Sequence, residues 1–177
     1  MESKLRLKIT YSLVLLFIST GLILILMDES DTSVLGKSSK IDLEFVLHDL
    51  DKNEISINDF DETVRVVNFW ATWCPPCRDE IPEFQLFHEK YQKNGVKVIG
   101  IALDEQGATV VQPFVKKINM TYLSLIDTNN LATAKFGGIN AIPTTFIIDR
   151  EGTVRKKHIG FMSFENLEAA VLPLLEH

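Results

Sequence analysis

The sequence predicts an α/β domain that follows one membrane-spanning helix. Short apolar runs rich in β-branched residues alternate with stretches of helical periodicity between residues 41 and 177. Before them lies a run of 19 residues without a charge, residues 9–27. A chain of 177 residues with 46% hydrophobic content is large enough for one globular domain plus such an appendage.

The uncharged run is long enough to cross the hydrocarbon core of a bilayer at about 1.5 Å per residue, so we expect a transmembrane signal anchor. A cleaved signal peptide is the alternative, although the run exceeds a usual h-region and no A-x-A-like site follows it. Basic residues precede the run and acidic residues follow it: Lys4, Arg6 and Lys8, then Asp28, Glu29 and Asp31. By the positive-inside rule, the N-terminus is cytoplasmic and the domain lies on the extracytoplasmic side.

The predicted organisation therefore has four parts. These are residues 1–8 as a cytoplasmic N-terminus, 9–27 as the anchor, 28–40 as a flexible tether, and 41–177 as the domain. The net charge of the chain is −6, and three of its basic residues precede the anchor, so the domain itself is more acidic still. We expect no nucleic-acid partner for such a domain.

Within the domain, the patterns predict a β-hairpin followed by alternating strands and helices. The hairpin covers residues 41–57. Strands are predicted at residues 64–70, 96–102, 122–126, 144–148 and 153–159. Helices are predicted at residues 75–93, 110–118 and 129–136, with a last helix that Ser163 can cap. Pro82 predicts a kink in the first of these helices.

The two cysteines of the chain, Cys74 and Cys77, lie where the first long buried strand ends and a helix begins. A thiolate at a helix N-terminus faces unpaired N–H groups and the positive end of the helix dipole, so its pKa falls. We expect Cys74 to be the more exposed residue and the nucleophile, and Cys77 to resolve the mixed disulfide that Cys74 forms. Pro75 and Pro76 occupy the first turn, where no N–H has an intrahelical partner, and they stiffen the loop.

Two other readings of the C-x-x-C spacing have less support. Half of a zinc site would need further ligands, but there is no second cysteine pair and no histidine stands at knuckle spacing, so no metal is expected. A purely structural disulfide would close a very short loop and stabilise the domain little through chain entropy. These considerations favour redox chemistry.

Two segments carry a family resemblance. Residues 68–78 read NFWATWCPPCR, and residues 141–149 read AIPTTFIID. Together they resemble the active-site strand and helix and the cis-proline segment of thioredoxin-like proteins, most of all the membrane-anchored TlpA/ResA group of thiol-disulfide oxidoreductases. The resemblance covers about residues 41–177. It implies a central mixed β-sheet flanked by helices, with an N-terminal β-hairpin and a central β/α insertion.

The same resemblance implies site residues. A cis Pro143 turns the backbone of Ile142 outward to pair with an extended substrate, while Trp73 shields Cys74 and, with Pro75 and Pro76, forms the docking surface. An ordinary trans proline opening a strand is the alternative for Pro143.

A second group concerns the proton of Cys77. Glu80 lies three residues after it, on the same helical face, and the TlpA/ResA group has a glutamate here that could accept or return that proton. A merely solvated Glu80, like its neighbour Asp79, is the alternative. Asn68 departs from classical thioredoxins, which carry a buried aspartate at that place, and an amide cannot transfer a proton.

The function implied is an extracytoplasmic thiol-disulfide oxidoreductase of a bacterial cytoplasmic membrane, single-pass, with its domain on the periplasmic side. It would reduce disulfides in exported proteins, such as apocytochromes c during cytochrome c maturation, and be recharged by a membrane thiol electron donor. No cofactor is expected beyond the redox-active Cys74–Cys77 pair. Alternatives are a disulfide oxidant or isomerase of exported proteins, and a redox-inert module that binds peptides at Ile142–Pro143.

Overall fold

A computed structural model describes residues 41–176, and these form a seven-stranded sheet with helices on both faces. The strands are β1 Val46–Asp49, β2 Glu54–Ser56, β3 Val64–Trp70, β4 Val96–Ala102, β5 Leu123–Ile126, β6 Thr144–Ile148 and β7 Val154–Ile159. The α-helices are α1 Pro75–Tyr91, α2 Ala108–Lys117, α3 Leu131–Lys135 and α4 Phe164–Val171. Short 3-10 helices span Ile57–Phe60 and Leu172–Leu174. The predicted N-terminal tail, anchor and tether lie outside the described residues.

The sheet is mixed and has the order β2-β1-β5-β4-β3-β6-β7. The strands β3, β4 and β5 are parallel, whereas β6 runs antiparallel to β3 and β7 antiparallel to β6. On the other side, β1 pairs antiparallel with both β2 and β5. The mixed sheet, the N-terminal hairpin β1–β2 and the β/α insertion α2–β5 are therefore present at the predicted places.

Strand β3 is central because it is buried on both faces. Successive side chains of a strand point to opposite faces. Val66 and Trp70 accordingly pack in one core with α1, α2 and α4, while Val67 and Phe69 pack in a second core with the segment before β1 and with α3. An apolar run with little alternation is what a doubly covered strand requires.

Several element ends differ from the prediction. Helix α1 ends at Tyr91, before Gly95, which has a φ of +78°. Helix α3 covers only Leu131–Lys135, because Asn130 adopts the left-handed conformation and cannot extend the helix backwards. Ser163 caps α4 as expected, and its continuation around Pro173 is a 3-10 helix. Within residues 41–176, no helix has the length and apolar composition needed to cross a bilayer.

The topology brings three segments together at the carboxyl ends of the central strands β3 and β4. Helix α1 begins just after the carboxyl end of β3. Because β6 is antiparallel to β3, with Phe69 opposite Thr144, the loop before β6 reaches the same end. The parallel neighbour β4 also ends here, and the N–H of Leu103 donates to the carbonyl of Trp70 at 2.9 Å. Residues 71–77, 141–143 and 103–104 therefore meet.

Candidate active site

Cys74 and Cys77 are joined in a disulfide, with their Cα atoms 5.3 Å apart. Cys74 is the N-cap of α1, and its sulfur accepts a hydrogen bond from the N–H of Cys77 at 3.3 Å. Pro75 and Pro76 follow as the first residues of the helix and are exposed. The predicted position of the pair at a helix N-terminus is confirmed, and an N–H group already points at the Cys74 sulfur.

Cys74 is the more exposed of the two cysteines, as expected, but the difference in exposure is small. Cys74 is 3% exposed and Cys77 is fully buried, so both cysteines are buried in the disulfide form. The reason is tertiary: the Cys74 sulfur lies 3.8 Å from the carbonyl oxygen of Ile142, in the loop before β6. Trp73 beside it is 65% exposed and forms the prominent apolar surface of the site.

The loop next to the sulfur contains a cis peptide bond between Ile142 and Pro143, as predicted. Ile142 is half-buried and Pro143 is buried. The carbonyl of Pro143 accepts a hydrogen bond from the N–H of Gly160 at 2.8 Å, which ties the loop to the end of β7. The cis peptide bond and the hydrogen bond from Gly160 at the end of β7 thus hold the loop in which the Ile142 carbonyl lies beside Cys74.

Glu80 lies one helical turn after Cys77 and is fully buried, so it is not a solvated surface residue. Its two carboxylate oxygens accept hydrogen bonds from the Asn68 amide at 2.8 Å and from the N–H of Met162 at 3.1 Å. Burial raises the pKa of Glu80 to about 7, although the two hydrogen bonds act in the opposite direction. Its neighbour Asp79 is exposed. A carboxyl group that titrates near neutrality can both accept and return a proton.

The partners of Glu80 were not predicted from the sequence. Asn68 also donates to the hydroxyl of Thr145 at 3.1 Å, and these two residues are directly opposite each other in the β3–β6 ladder. Strand alternation was a usable signal, because it places Asn68 with Val66 and Trp70 on the face that α1 covers. The residue that departs from classical thioredoxins therefore orients the buried acid of α1.

A second buried carboxylate lies on the other side of the cysteine loop and was also missed. Asp104 follows β4, and both its oxygens accept from the N–H of Thr72, at 3.0 and 3.3 Å. The Thr72 hydroxyl donates to one of them at 2.5 Å. Among residues 41–176, no cluster of three or more His, Cys, Asp or Glu side chains could hold a metal ion.

The comparisons with known proteins give the class of this site. The fold is thioredoxin-like, and the chain is a thiol-disulfide oxidoreductase that contains a disulfide between Cys74 and Cys77. The model of the AhpC/TSA family matches residues 40–157, and the chain belongs to that family.

Relatives and solved structures agree with this class. The chain is 33% identical over 125 residues to the thiol-disulfide oxidoreductase ResA of Geobacillus thermodenitrificans, covering 71% of each chain. It is 30% identical over 134 residues to the sporulation thiol-disulfide oxidoreductase A of Bacillus subtilis, covering 75% of this chain and 80% of that protein. A thioredoxin-family thiol:disulfide interchange protein from Chlorobium tepidum superposes with a TM-score of 0.71 at 30% identity, over 79% of this chain and 98% of that one. StoA from Bacillus subtilis superposes with a TM-score of 0.63 at 29% identity, over 71% and 93%.

Proposed function

We propose that this oxidoreductase works as a reductant of disulfides in exported proteins, on the extracytoplasmic side of a bacterial cytoplasmic membrane to which residues 9–27 anchor it. The observation that carries the proposal is the buried Glu80 one turn after Cys77, because it serves the step that releases a reduced substrate. Apocytochromes c awaiting haem attachment are the proposed substrates. A membrane thiol electron donor returns the protein to the dithiol form.

The first step is attack by the Cys74 thiolate on one sulfur of the substrate disulfide. A Cys74–substrate bond forms, the substrate disulfide breaks, and its second sulfur leaves as a thiolate that is then protonated. The position of Cys74 at the N-cap of α1 stabilises the attacking thiolate. The carbonyl of Ile142, next to the sulfur, is available to pair with the backbone of an extended substrate.

The second step is resolution by Cys77. Its thiol proton passes to the Glu80 carboxylate, and the resulting thiolate attacks the Cys74 sulfur. The mixed disulfide breaks, the substrate sulfur that Cys74 had attacked leaves and takes up a proton, and the protein is left with the Cys74–Cys77 disulfide seen in the structure. Two electrons have moved from the protein to the substrate.

The reduction potential separates a reductant from an oxidant or isomerase. We expect the Cys74–Cys77 couple to equilibrate with glutathione near the value of thioredoxin, about −270 mV, rather than near that of DsbA, about −120 mV. A potential at or above that of protein disulfide isomerase, about −180 mV, would contradict the reductase proposal. If reduced protein is not alkylated at Cys74 at all, the site is a redox-inert binding module instead.

Trapping identifies the substrate and fractionation tests the anchor. A Cys77→Ser variant cannot resolve its mixed disulfides, so substrates stay attached and can be identified by mass spectrometry. Recovery of apocytochromes c is the expected result, and their absence among the attached proteins would overturn that part of the proposal. Release of the full chain from membranes by carbonate or high salt would contradict the anchor.

A further inference from the structure

The short turn that carries Cys74 is held from the neighbouring strand by Asp104. This side chain is 1% exposed and accepts all its hydrogen bonds from Thr72, through both the backbone N–H and the hydroxyl. The N–H of Cys74 in turn donates to the carbonyl of Ala71 at 3.2 Å. The buried carboxylate of Asp104 is therefore linked to Cys74 through the turn at Thr72 and Trp73. Asp104 follows β4, which lies on the opposite side of β3 from β6 and the Ile142 loop.

Within residues 41–176, no lysine, arginine or histidine forms an ion pair with Asp104. The other charged groups near the turn are on α1, on α2 and after β4: Glu80 is buried, whereas Arg78, Asp79, Lys117 and Glu105 are exposed to solvent. The segments 141–143 and 160–162 carry no charged side chain. A buried charge acts strongly on its neighbours because little solvent screens it.

We infer that Asp104 is a positioning residue that makes the dithiol more reducing. It orients the turn through Thr72, and its negative charge disfavours the thiolate of Cys74, which is the reduced state of the pair. Destabilising the reduced state lowers the reduction potential, as the opposite effect raises it in DsbA. The inference rests on the proposed reductase function, for which a low potential is the requirement.

The test is Asp104→Asn in the full chain, which removes the charge and keeps the shape. The reduced variant is equilibrated with oxidised glutathione, so that the two thiols become the disulfide while one oxidised glutathione becomes two reduced molecules. We expect the equilibrium constant for oxidation of the protein to fall about tenfold, which corresponds to about 30 mV. The ultraviolet titration of the Cys74 thiolate should move to lower pH. An unchanged equilibrium constant and titration would overturn the inference.

A matched variant, Thr72→Val, separates the effect of the Asp104 charge from the effect of its hydrogen bonds on the position of the turn. It deletes the hydroxyl donor but keeps the carboxylate and the backbone N–H, so the charge is less neutralised and the potential should move in the direction opposite to that of Asp104→Asn. If Asp104 only clamps the turn, both variants loosen it and shift the potential the same way, which would contradict the charge role. If Asp104→Asn does not fold, Thr72→Val decides alone: a lower potential supports the inference, and an unchanged or higher one overturns it.

The inference and the proposed function fail separately. The glutathione equilibrium is a property of this protein without any partner, whereas the Cys77→Ser trap reports which partners it meets. If the Cys77→Ser variant captures no apocytochromes c, the comparison of the Asp104 and Thr72 variants still tests the inference. A wild-type potential near that of DsbA would instead refute the reductase function, whatever the two variants do.

Discussion

Replacing the buried acid of α1 by its amide, Glu80→Gln, should remove the loss of stability that this acid causes as the pH rises. The folded protein holds the pKa of Glu80 at about 7, against an ordinary value of 4.5. Folding therefore favours the protonated acid, and the stability that this gives below pH 4.5 is lost as the pH rises through 7. At 1.36 kcal/mol for each pH unit, the interval corresponds to about 3 kcal/mol. Glutamine stays neutral and does not lose this stability.

The amide also changes the hydrogen bonds, and this lowers the free energy of unfolding of the variant by an amount that does not depend on pH. Both Glu80 oxygens accept hydrogen bonds, from Asn68 and from Met162, but a glutamine has only one oxygen to offer. One donor is left without its acceptor, which costs about 1 kcal/mol at every pH. We therefore expect the variant to be less stable than the wild type by about 1 kcal/mol at pH 4 and more stable by about 2 kcal/mol at pH 8.

The assay is chemical denaturation of the full chain from pH 4 to pH 8 with the disulfide intact, so that neither cysteine titrates. The quantity to compare is the difference in free energy of unfolding between variant and wild type. Asp79→Asn is the control, since that neighbouring side chain is exposed and its variant should show a nearly flat difference. A difference for Glu80→Gln that is equally flat would refute the conclusion that this acid is buried and titrates near neutrality.

Three further outcomes are expected. Brief alkylation of the reduced protein, read by mass spectrometry, should label Cys74 first, because Cys77 is fully buried, and preferential labelling of Cys77 would reverse the assignment. The pH profile of dithiol reactivity should change more in Glu80→Gln than in the control variant described above, and equal profiles would remove the residue from proton transfer. Asp127→Ala should lower the free energy of unfolding by about 1–2 kcal/mol, because this carboxylate accepts from two N–H groups at the start of α3. The exposed Thr128→Ala is its control in thermal denaturation, and equal losses in both would contradict the capping role.

The local sequence determined the elements whose signals are short in range. Val64–Trp70, Val96–Ala102 and Thr144–Ile148 were predicted with the bounds they have, because runs rich in β-branched and apolar residues end at residues that form turns. The position of Cys74 at the start of a helix follows from the two prolines after it and the periodicity beyond them. These features can be predicted from about ten neighbouring residues.

Helix ends depended on backbone conformations that the pattern does not report. Periodicity extends over residues 129–136, yet the helix begins at Leu131 because Asn130 is left-handed. Asp127 then supplies the cap from outside the helix, where no pattern of the usual N-cap position indicates it.

The electrostatics of the site were decided by tertiary structure alone. Helical spacing placed Glu80 on the face of Cys77 but could not tell a buried acid from a solvated one. Its burial depends on Asn68, across the core from α1, and on the backbone of Met162, 82 residues further on. The contact of Asp104 with Thr72 likewise joins residues 32 positions apart, through the pairing of β3 with β4. A carboxyl pKa is set by such neighbours and by the water they exclude, and neither is written in the residues beside it.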